Sequence, residues 1–276
     1  MKYEIIADSS CNLHSDYIKD ENIGFKIAPL KITVQDKTFV DDDNIDVDEM
    51  LKEVNASKKA GRTSCPSPYD YAQYYDEADY VVVITISSKL SGSYNSALAA
   101  IESSKNKNVI IIDSKAVAGT MVLLVDKVYA LLKEDKLSFK ELETTLNEYR
   151  DSINLYFVLD KFDNLVKNGR MNRIIALIAE TLLVKPLCYA YDGQIKILEK
   201  VRTSKGAYKR LVGHIQKDIS DASNRVCIIT HVKAPDLAEE VRQMIVNNYN
   251  FKEVRIMEAK GLTSFYALEK GIMVSF

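Results

Sequence analysis

Residues 79–100 constrain the fold of this chain more than any other segment. Residues 81–84 and Ile86, separated by Thr85, form an apolar run that is typical of a parallel strand buried on both faces. A loop rich in serine follows immediately, and helical spacing of apolar residues begins near Ser91. The segment therefore predicts a strand, a polar loop and a helix, which is the repeating unit of α/β folds.

Four serines surround the predicted start of this helix, namely Ser87, Ser88, Ser91 and Ser93. The first amides of a helix lack intrahelical partners, so hydroxyls beside them make a suitable binding site for an anion. We interpret the loop, including Gly92, as a cradle for a carboxylate or a phosphate. The alternative is that Ser91 or Ser93 only caps the helix, since serine is a preferred N-cap residue.

The first predicted strand repeats this arrangement. Residues 2–7 are predicted to form a strand that ends in Asp8, Ser9 and Ser10. In a doubly wound sheet, ligands bind beyond the carboxyl ends of the strands, so polar residues at several strand ends predict one shared site. Alternatively, Asp8 caps a helix over residues 13–19.

A second loop, residues 58–68, also has the character of a binding loop. Pro66 and Pro68 favour extended backbone at the residues that precede them. This stiffness would hold Thr63 and Ser64 in place and present their hydroxyls in a defined direction.

Strands alternate with helices along the rest of the chain, with predicted β-hairpins at residues 25–40 and 186–201. Polar breaks divide the pattern into two α/β domains, residues 1–153 and residues 154–276. Residues 174–179 are apolar nearly all round, which predicts an enclosed helix. That helix either lines an apolar cavity or is an ordinary core helix.

Composition excludes several classes of function. The chain has 276 residues, of which 47% are hydrophobic and 28% charged, as in a globular protein. A net charge of −2 with no basic run argues against nucleic acid as a partner. The apolar runs are too short for membrane insertion, and the absence of a signal-peptide pattern at the N-terminus predicts the cytoplasm. The four cysteines and three histidines have no metal-ligand spacing, so neither a metal nor a cofactor is expected.

Six segments in a characteristic order make the chain similar to a known family. Over essentially its whole length it resembles the DegV family of bacterial fatty-acid-binding proteins. The segments are Asp8-Ser9-Ser10, residues 63–68 (TSCPSP), residues 87–97 (SSKLSGSYNSA), residues 112–115 (IDSK), residues 157–160 (FVLD) and residues 168–170 (NGR).

The resemblance implies two α/β domains with a long-chain fatty acid between them. It implies that Thr63 and Ser93 bind the carboxylate, together with Ser64, Ser91 and Gly92. The tail would lie in the second domain, where Ile174, Leu177 and Ile178 are the candidate lining residues. Members of the family present the fatty acid to a separate kinase subunit, which converts the carboxylate to an acyl phosphate, so the chain would carry a ligand without catalysing its reaction. Arg170 and Arg202 stand at arginines that resemble family positions serving the exposed polar side of the site or the partner surface.

The chain departs from the family near its C-terminus. Many members carry a His-x-Gly-Pro-Gly turn whose histidine helps to bind the carboxylate, whereas residues 265–271 here read FYALEKG. Counting back from Phe276 places Tyr266 at the histidine. Its phenol could donate a hydrogen bond in the same way.

Two other functions compete with lipid binding. A serine-dependent acyl hydrolase or transferase would need a nucleophile elbow and an activating base, and residues 90–94 (LSGSY) offer only part of that motif. A phosphate-ligand binding module would usually carry a glycine-rich motif such as GxGxxG, and the chain has none.

Overall fold

The computed structural model, which describes residues 2–171 and 184–276, contains both strands and helices in each half of the chain. The predicted α/β class is confirmed. The strands are β1 (Tyr3–Asp8), β2 (Ile23–Ala28), β3 (Lys31–Val34), β4 (Lys37–Val40), β5 (Arg62–Ser64), β6 (Tyr80–Thr85), β7 (Val109–Asp113), β8 (Leu155–Val158), β9 (Lys185–Tyr191), β10 (Gln194–Val201), β11 (Val226–His231), β12 (Glu253–Glu258) and β13 (Ile272–Ser275). The helices are α1 (Val47–Ala56), α2 (Pro68–Tyr75), α3 (Ser93–Ser103), α4 (Gly119–Glu134), α5 (Phe139–Asp151), α6 (Asp163–Lys167), α7 (Ser204–Asp218), α8 (Pro235–Val246) and α9 (Gly261–Ala267).

The first sheet has four parallel strands in the order β2-β1-β6-β7. Helices α2 and α3 pack on one face and α4 and α5 on the other, so β6 is buried on both sides as predicted. Because the strands are parallel, the loops that follow β1, β6 and β7 all leave the same edge. The polar strand ends therefore lie at one edge of the sheet, and their use as one shared site stays a prediction.

The second sheet has six strands in the order β10-β9-β8-β13-β11-β12. Only β11 and β12 pair in parallel, and the predicted hairpin of β9 and β10 turns at Asp192-Gly193. Helices α7 and α8 cover one face through an apolar cluster. The other face is turned toward the first half of the chain.

Helix α4 lies between the two large sheets. It packs against β1 and β6 on one side and against β11 and β13 on the other. Its first residue, Gly119, permits this approach, because a Cβ there would lie 2.9 Å from the Ser275 hydroxyl oxygen. Residues 116–118 belong to the loop that precedes the helix, and Ala118 donates its amide to the carbonyl of Ser10.

A third, small antiparallel sheet has the order β4-β3-β5 and places Thr63 opposite Ile32. The predicted hairpin over residues 25–40 is correct only for β3 and β4. The earlier part, β2, instead joins the first sheet. Pro29 separates the two strands, because proline donates no backbone hydrogen bond and restricts the residue before it.

The strands of the parallel sheet all precede residue 153, and those of the six-stranded sheet all follow residue 154. One apolar cluster nevertheless combines residues from both halves, including Met50 of α1, Phe157 of β8 and Phe265 of α9. The division into domains of residues 1–153 and 154–276 stays a prediction.

Other predictions have mixed outcomes. Asp8 caps a short 3₁₀ turn, Ser9–Cys11, which ends at the left-handed Asn12, and the predicted helix over residues 13–19 does not form. The predicted helix at residues 174–179, with Ile174, Leu177 and Ile178, lies outside the described residues. Within residues 2–171 and 184–276, no helix is long and apolar enough to cross a membrane, and no group of three or more His, Cys, Asp or Glu side chains could hold a metal ion.

Candidate functional site

A cavity of about 260 Å³ lies where the carboxyl edge of the parallel sheet meets the inner face of the six-stranded sheet. Both halves of the chain contribute to its wall. Its polar lining residues include Thr63, Ser64, Cys65, Ser91, Gly92, Arg170, Thr263 and Tyr266, and its apolar lining residues include Leu30, Ile86, Leu90, Leu155, Phe157, Leu159, Leu165, Ile195, Leu262 and Met273.

Two hydroxyls meet in the polar part of this wall. The Oγ1 of Thr63 lies 2.7 Å from the phenol oxygen of Tyr266, and both side chains are partly buried. Strand β5 holds Thr63 through its pairing with β3, and α9 holds Tyr266. Because each hydroxyl is both donor and acceptor, the pair can donate at least one hydrogen bond to a ligand in the cavity.

The phenol of Tyr266 is a neutral donor. Burial raises its pKa above the ordinary value, and the Thr63 hydroxyl and the positive charge of Arg170 offset this only in part. The tyrosine therefore keeps its proton throughout the neutral range. Its position in the cavity wall fits the predicted replacement of the family histidine, while direct contact with a carboxylate stays a prediction.

The loop before α3 supplies Ser91 and Gly92. Gly92 is the N-cap residue of α3 and has no side chain that could cap the helix. The Ser91 hydroxyl accepts the amide of Ser93, the first helical residue, at 3.3 Å, as the capping alternative predicts. Ser91 and Gly92 also line the cavity, and their part in binding an anion stays a prediction.

Ser93 occupies a different place from the one predicted. Its side chain is 0% exposed and lies behind the cavity wall, where its hydroxyl donates to Asp8 at 2.6 Å. The Tyr71 phenol oxygen is 2.7 Å from the same hydroxyl. Since a hydroxyl has one hydrogen, Tyr71 must donate to Ser93. Binding of a carboxylate by Ser93 stays a prediction, and it requires the hydroxyl to turn away from Asp8.

Asp8 joins the loops at the edge of the sheet. Its carboxylate accepts the Ile86 amide at 2.8 Å and the Ser10 amide at 3.2 Å, besides the hydroxyls of Ser10 and Ser93. The side chain is 0% exposed, and burial raises its pKa against the lowering effect of these donors. Asp8 thus positions the loops that form the polar wall without itself lining the cavity.

The two predicted partner-surface arginines differ in position. Arg170 is partly buried, lines the cavity and donates to the Leu90 carbonyl at 3.2 Å. Arg202 is exposed between β10 and α7 and is outside the cavity lining given by the described residues. The structure therefore brings Arg170, but not Arg202, to the polar wall.

Strand β8 supplies apolar lining that was not predicted from the sequence. Leu155, Phe157 and Leu159 line the cavity, whereas the alternate residues Tyr156 and Val158 pack beneath α7 and α8. Side chains of a strand point alternately to its two faces. The tail-lining prediction was confined to the apolar helix, because residues 155–159 (LYFVL) are apolar throughout and do not indicate which side chains face the cavity.

The hairpin turn of β9 and β10 closes over the loop after β6. The Ser87 hydroxyl donates to the carbonyl of Gly193 at 2.7 Å, which links the two large sheets beside the cavity. Gly193 has a φ of +75°, and a Cβ there would lie 2.6 Å from the Ser87 hydroxyl oxygen. Glycine is therefore needed both for the turn and for the close contact.

Comparison with known proteins places this geometry in a family. The family model described as an uncharacterised protein of the DegV family matches residues 2–275. The chain belongs to the DegV family. A DegV domain-containing protein of Streptococcus pyogenes serotype M1 is 35% identical to it, over 100% of this chain and 99% of that protein.

Solved structures of the DegV family have the same fold. The Fatty Acid Kinase (Fak) B3 protein of Streptococcus pneumoniae, loaded with linoleic acid, has a TM-score of 0.93 and 32% identity, covering 100% of this chain and 99% of that one. A Ruminococcus gnavus DegV protein, refined with vaccenic acid, has a TM-score of 0.91 and 30% identity, with 99% of each chain covered. A Eubacterium eligens DegV protein loaded with heptadecanoic acid has a TM-score of 0.90 and 28% identity, covering 99% of this chain and 98% of that one.

In this DegV-family chain, each histidine interacts with a partner outside the cavity. His214 bonds Glu199 at 2.7 Å, His14 lies 3.3 Å from Asp43, and the ring of His231 accepts the amide of Ala234. Among the described lining residues there is no histidine. The hydroxyls of the polar wall therefore have no imidazole base beside them within that part of the chain.

Proposed function

We propose that this chain binds a long-chain fatty acid in the cavity and presents it to a separate fatty acid kinase subunit, which forms the acyl phosphate. The observation that carries the proposal is the Thr63–Tyr266 hydroxyl pair set in an otherwise largely apolar wall. Apolar lining suits an acyl chain, and a few placed donors suit a carboxylate. The linoleic, vaccenic and heptadecanoic acids in the related structures support the same ligand class.

The carboxylate would lie against Thr63 and Tyr266, close to Ser64, Ser91 and Gly92. The tail would run along the apolar face of β8, and Ile174, Leu177 and Ile178 stay the further lining residues proposed from the sequence. Apolar surface removed from water would supply most of the binding energy, and the hydroxyls would fix the orientation.

We propose that the chain is a carrier without catalytic residues. A serine nucleophile needs an activating base, and the histidines are engaged elsewhere. Ser93 is fully buried and lies behind the wall. These observations favour binding over hydrolysis.

The partner surface would include Arg170 at the polar wall and the exposed Arg202. We assign the role to the cytoplasm, because the four cysteines are unpaired and this suits a reducing compartment.

The ligand is tested by mass spectrometry of an organic extract from protein purified out of a bacterial host. We expect a fatty acid in stoichiometric amount. A polar phosphate compound in its place would overturn the proposal.

The carrier role is tested with oleate-loaded protein and ATP, using hydroxylamine to trap any acyl phosphate. We expect no trapped product from the protein alone and product once a fatty acid kinase subunit is added. Arg202→Ala should slow the second reaction while oleate retention stays unchanged. Product formed without the kinase would contradict the carrier role.

A further inference from the structure

Thr263 of α9 combines two properties that are rarely found together. The residue lines the cavity, yet it is only 4% exposed. Within the part of the chain that the structure describes, its hydroxyl oxygen has no hydrogen-bond partner. Native proteins pair nearly all buried polar atoms, so an unpaired hydroxyl in a cavity wall marks a place where a bound molecule supplies the partner.

The helix itself does not satisfy this hydroxyl. A helical threonine commonly bonds to a carbonyl three or four residues earlier. Here the Ala259 carbonyl accepts the Ser264 hydroxyl at 3.0 Å, and the Lys260 carbonyl accepts the Ser264 amide at 2.9 Å. Neither carbonyl pairs with the Thr263 hydroxyl, so the helix leaves this hydroxyl without an acceptor.

Thr263 and Tyr266 are three residues apart, which places them on the same face of α9, one turn from each other. The start of this helix is fixed, because Asp41 accepts the amides of Gly261 at 2.8 Å and Leu262 at 3.0 Å. Thr263 therefore belongs to the same cavity wall as the Thr63–Tyr266 pair. A carboxylate has two oxygens that together accept about four hydrogen bonds.

We propose that Thr263 is a further ligand-binding residue, which donates a hydrogen bond to the carboxylate of the bound fatty acid. The inference rests on the proposed function, because the ligand is the same. The hydroxyl hydrogen is free to rotate toward the ligand, and the partner it gains there replaces the one that the helix does not provide.

The first test is Thr263→Val, which keeps the branched shape and removes only the hydroxyl. The matched control is Thr230→Val, because Thr230 is also a buried threonine with an unpaired hydroxyl but belongs to β11 and does not line the cavity. We expect Thr263→Val to weaken oleate binding roughly tenfold or more, as for one bond to a charged acceptor, and Thr230→Val to leave it unchanged. Neither variant should lower Tm, since each loses an unpaired polar atom.

The second test replaces the ligand. Oleyl alcohol has the same tail without the carboxylate, so the loss caused by Thr263→Val should fall to less than about threefold with this ligand. An equal loss for acid and alcohol would mean that Thr263 only packs against the tail, and this would overturn the inference. If Thr263→Val does not fold, Thr263→Ser, which keeps the hydroxyl, must retain oleate affinity.

The two proposals fail differently. Wild-type protein that does not bind oleate contradicts the proposed function. Wild-type protein that binds oleate, with Thr263→Val binding it equally well, contradicts only the role of Thr263.

Discussion

The sequence predicts the same role, carboxylate binding, for Thr63 and Ser93. In the structure the two residues lie in different layers. Thr63 is partly buried in the cavity wall, and its partner is the neutral phenol of Tyr266. Ser93 is fully buried behind that wall, and its partners are Asp8 and Tyr71. A hydroxyl that borders the cavity can exchange its hydrogen-bond partner for a ligand with little loss of free energy. A hydroxyl bonded to a buried carboxylate cannot, because the carboxylate would lose a donor.

The difference separates two roles at one site. The Thr63 layer is expected to determine affinity, and the Asp8–Ser93 layer is expected to hold the loops in place. Substitutions in the two layers should therefore change different measured quantities, affinity for the fatty acid in the first and the free energy of unfolding in the second.

The largest effect is expected for Asp8→Ala. This change leaves the amides of Ser10 and Ile86 and the hydroxyls of Ser10 and Ser93 buried without their acceptor. We expect the free energy of unfolding, measured by urea denaturation, to fall by about 3 kcal/mol or more.

The control for this variant is Asp79→Ala. Asp79 also accepts a backbone amide, from Lys2 at 2.9 Å, but it lies on the exposed opposite edge of the sheet. A surface change of this kind should alter stability by only about 0.5 kcal/mol. Similar values for the two variants would mean that the Asp8 layer does not support the fold.

A smaller effect, on affinity, is expected for Thr63→Val. The loss of a hydrogen bond to a charged acceptor is typically about 1.5–3 kcal/mol, so oleate binding should weaken roughly tenfold to a hundredfold in a displacement assay. Thr33→Val is the control, since Thr33 lies on the neighbouring strand β3 with its hydroxyl 3.1 Å from that of Thr38. If both variants bind oleate like the wild type, Thr63 is outside the head-group site.

Ser93→Ala should show the reverse pattern. It leaves Asp8 and Tyr71 each short of one partner, which predicts a stability loss of about 1–3 kcal/mol. Oleate affinity should change less than about threefold, because the hydroxyl already donates to Asp8. A loss of affinity as large as that of Thr63→Val would show that Ser93 turns toward the ligand when it binds.

Much of the fold could be predicted because its signals are local. The apolar run of β6, the Asp-Gly turn between β9 and β10 and the prolines before α2 each determine nearby backbone, and all three elements form. The hairpin predicted over residues 25–40 was wrong in its first part because strand pairing is not determined locally. Ile23–Ala28 joins β1 of the parallel sheet, and only the strands after Pro29 form the hairpin.

The site was predictable as a set of loops but not as a set of contacts. Strand ends and prolines identified Thr63, Ser64, Ser91 and Gly92, all of which line the cavity. Burial of Ser93 depends on Asp8, which lies 85 residues away in sequence. No local pattern contains that information.

The smallest expected effect concerns the pH dependence of the Tyr266 contribution. Its pKa is raised above about 10 by burial, so the phenol stays protonated and neutral from about pH 6 to about pH 9. Taking the difference in binding free energy between wild type and Tyr266→Phe cancels the titration of the ligand. This difference should be constant over the pH range. It should be about 1–3 kcal/mol if the phenol donates to the carboxylate.

Tyr266→His supplies the contrasting case. An imidazole titrates near about 6.5, and only its charged form attracts a carboxylate electrostatically, so the affinity of this variant should fall as pH rises from about 6 to about 8. Oleate titrations of the three proteins at each pH give the comparison. A wild-type contribution that itself declines over this range would show that a group other than the phenol controls the polar wall. If wild type and Tyr266→Phe bind oleate equally at every pH, the head group is bound by Thr63, Ser91 and Gly92 without Tyr266.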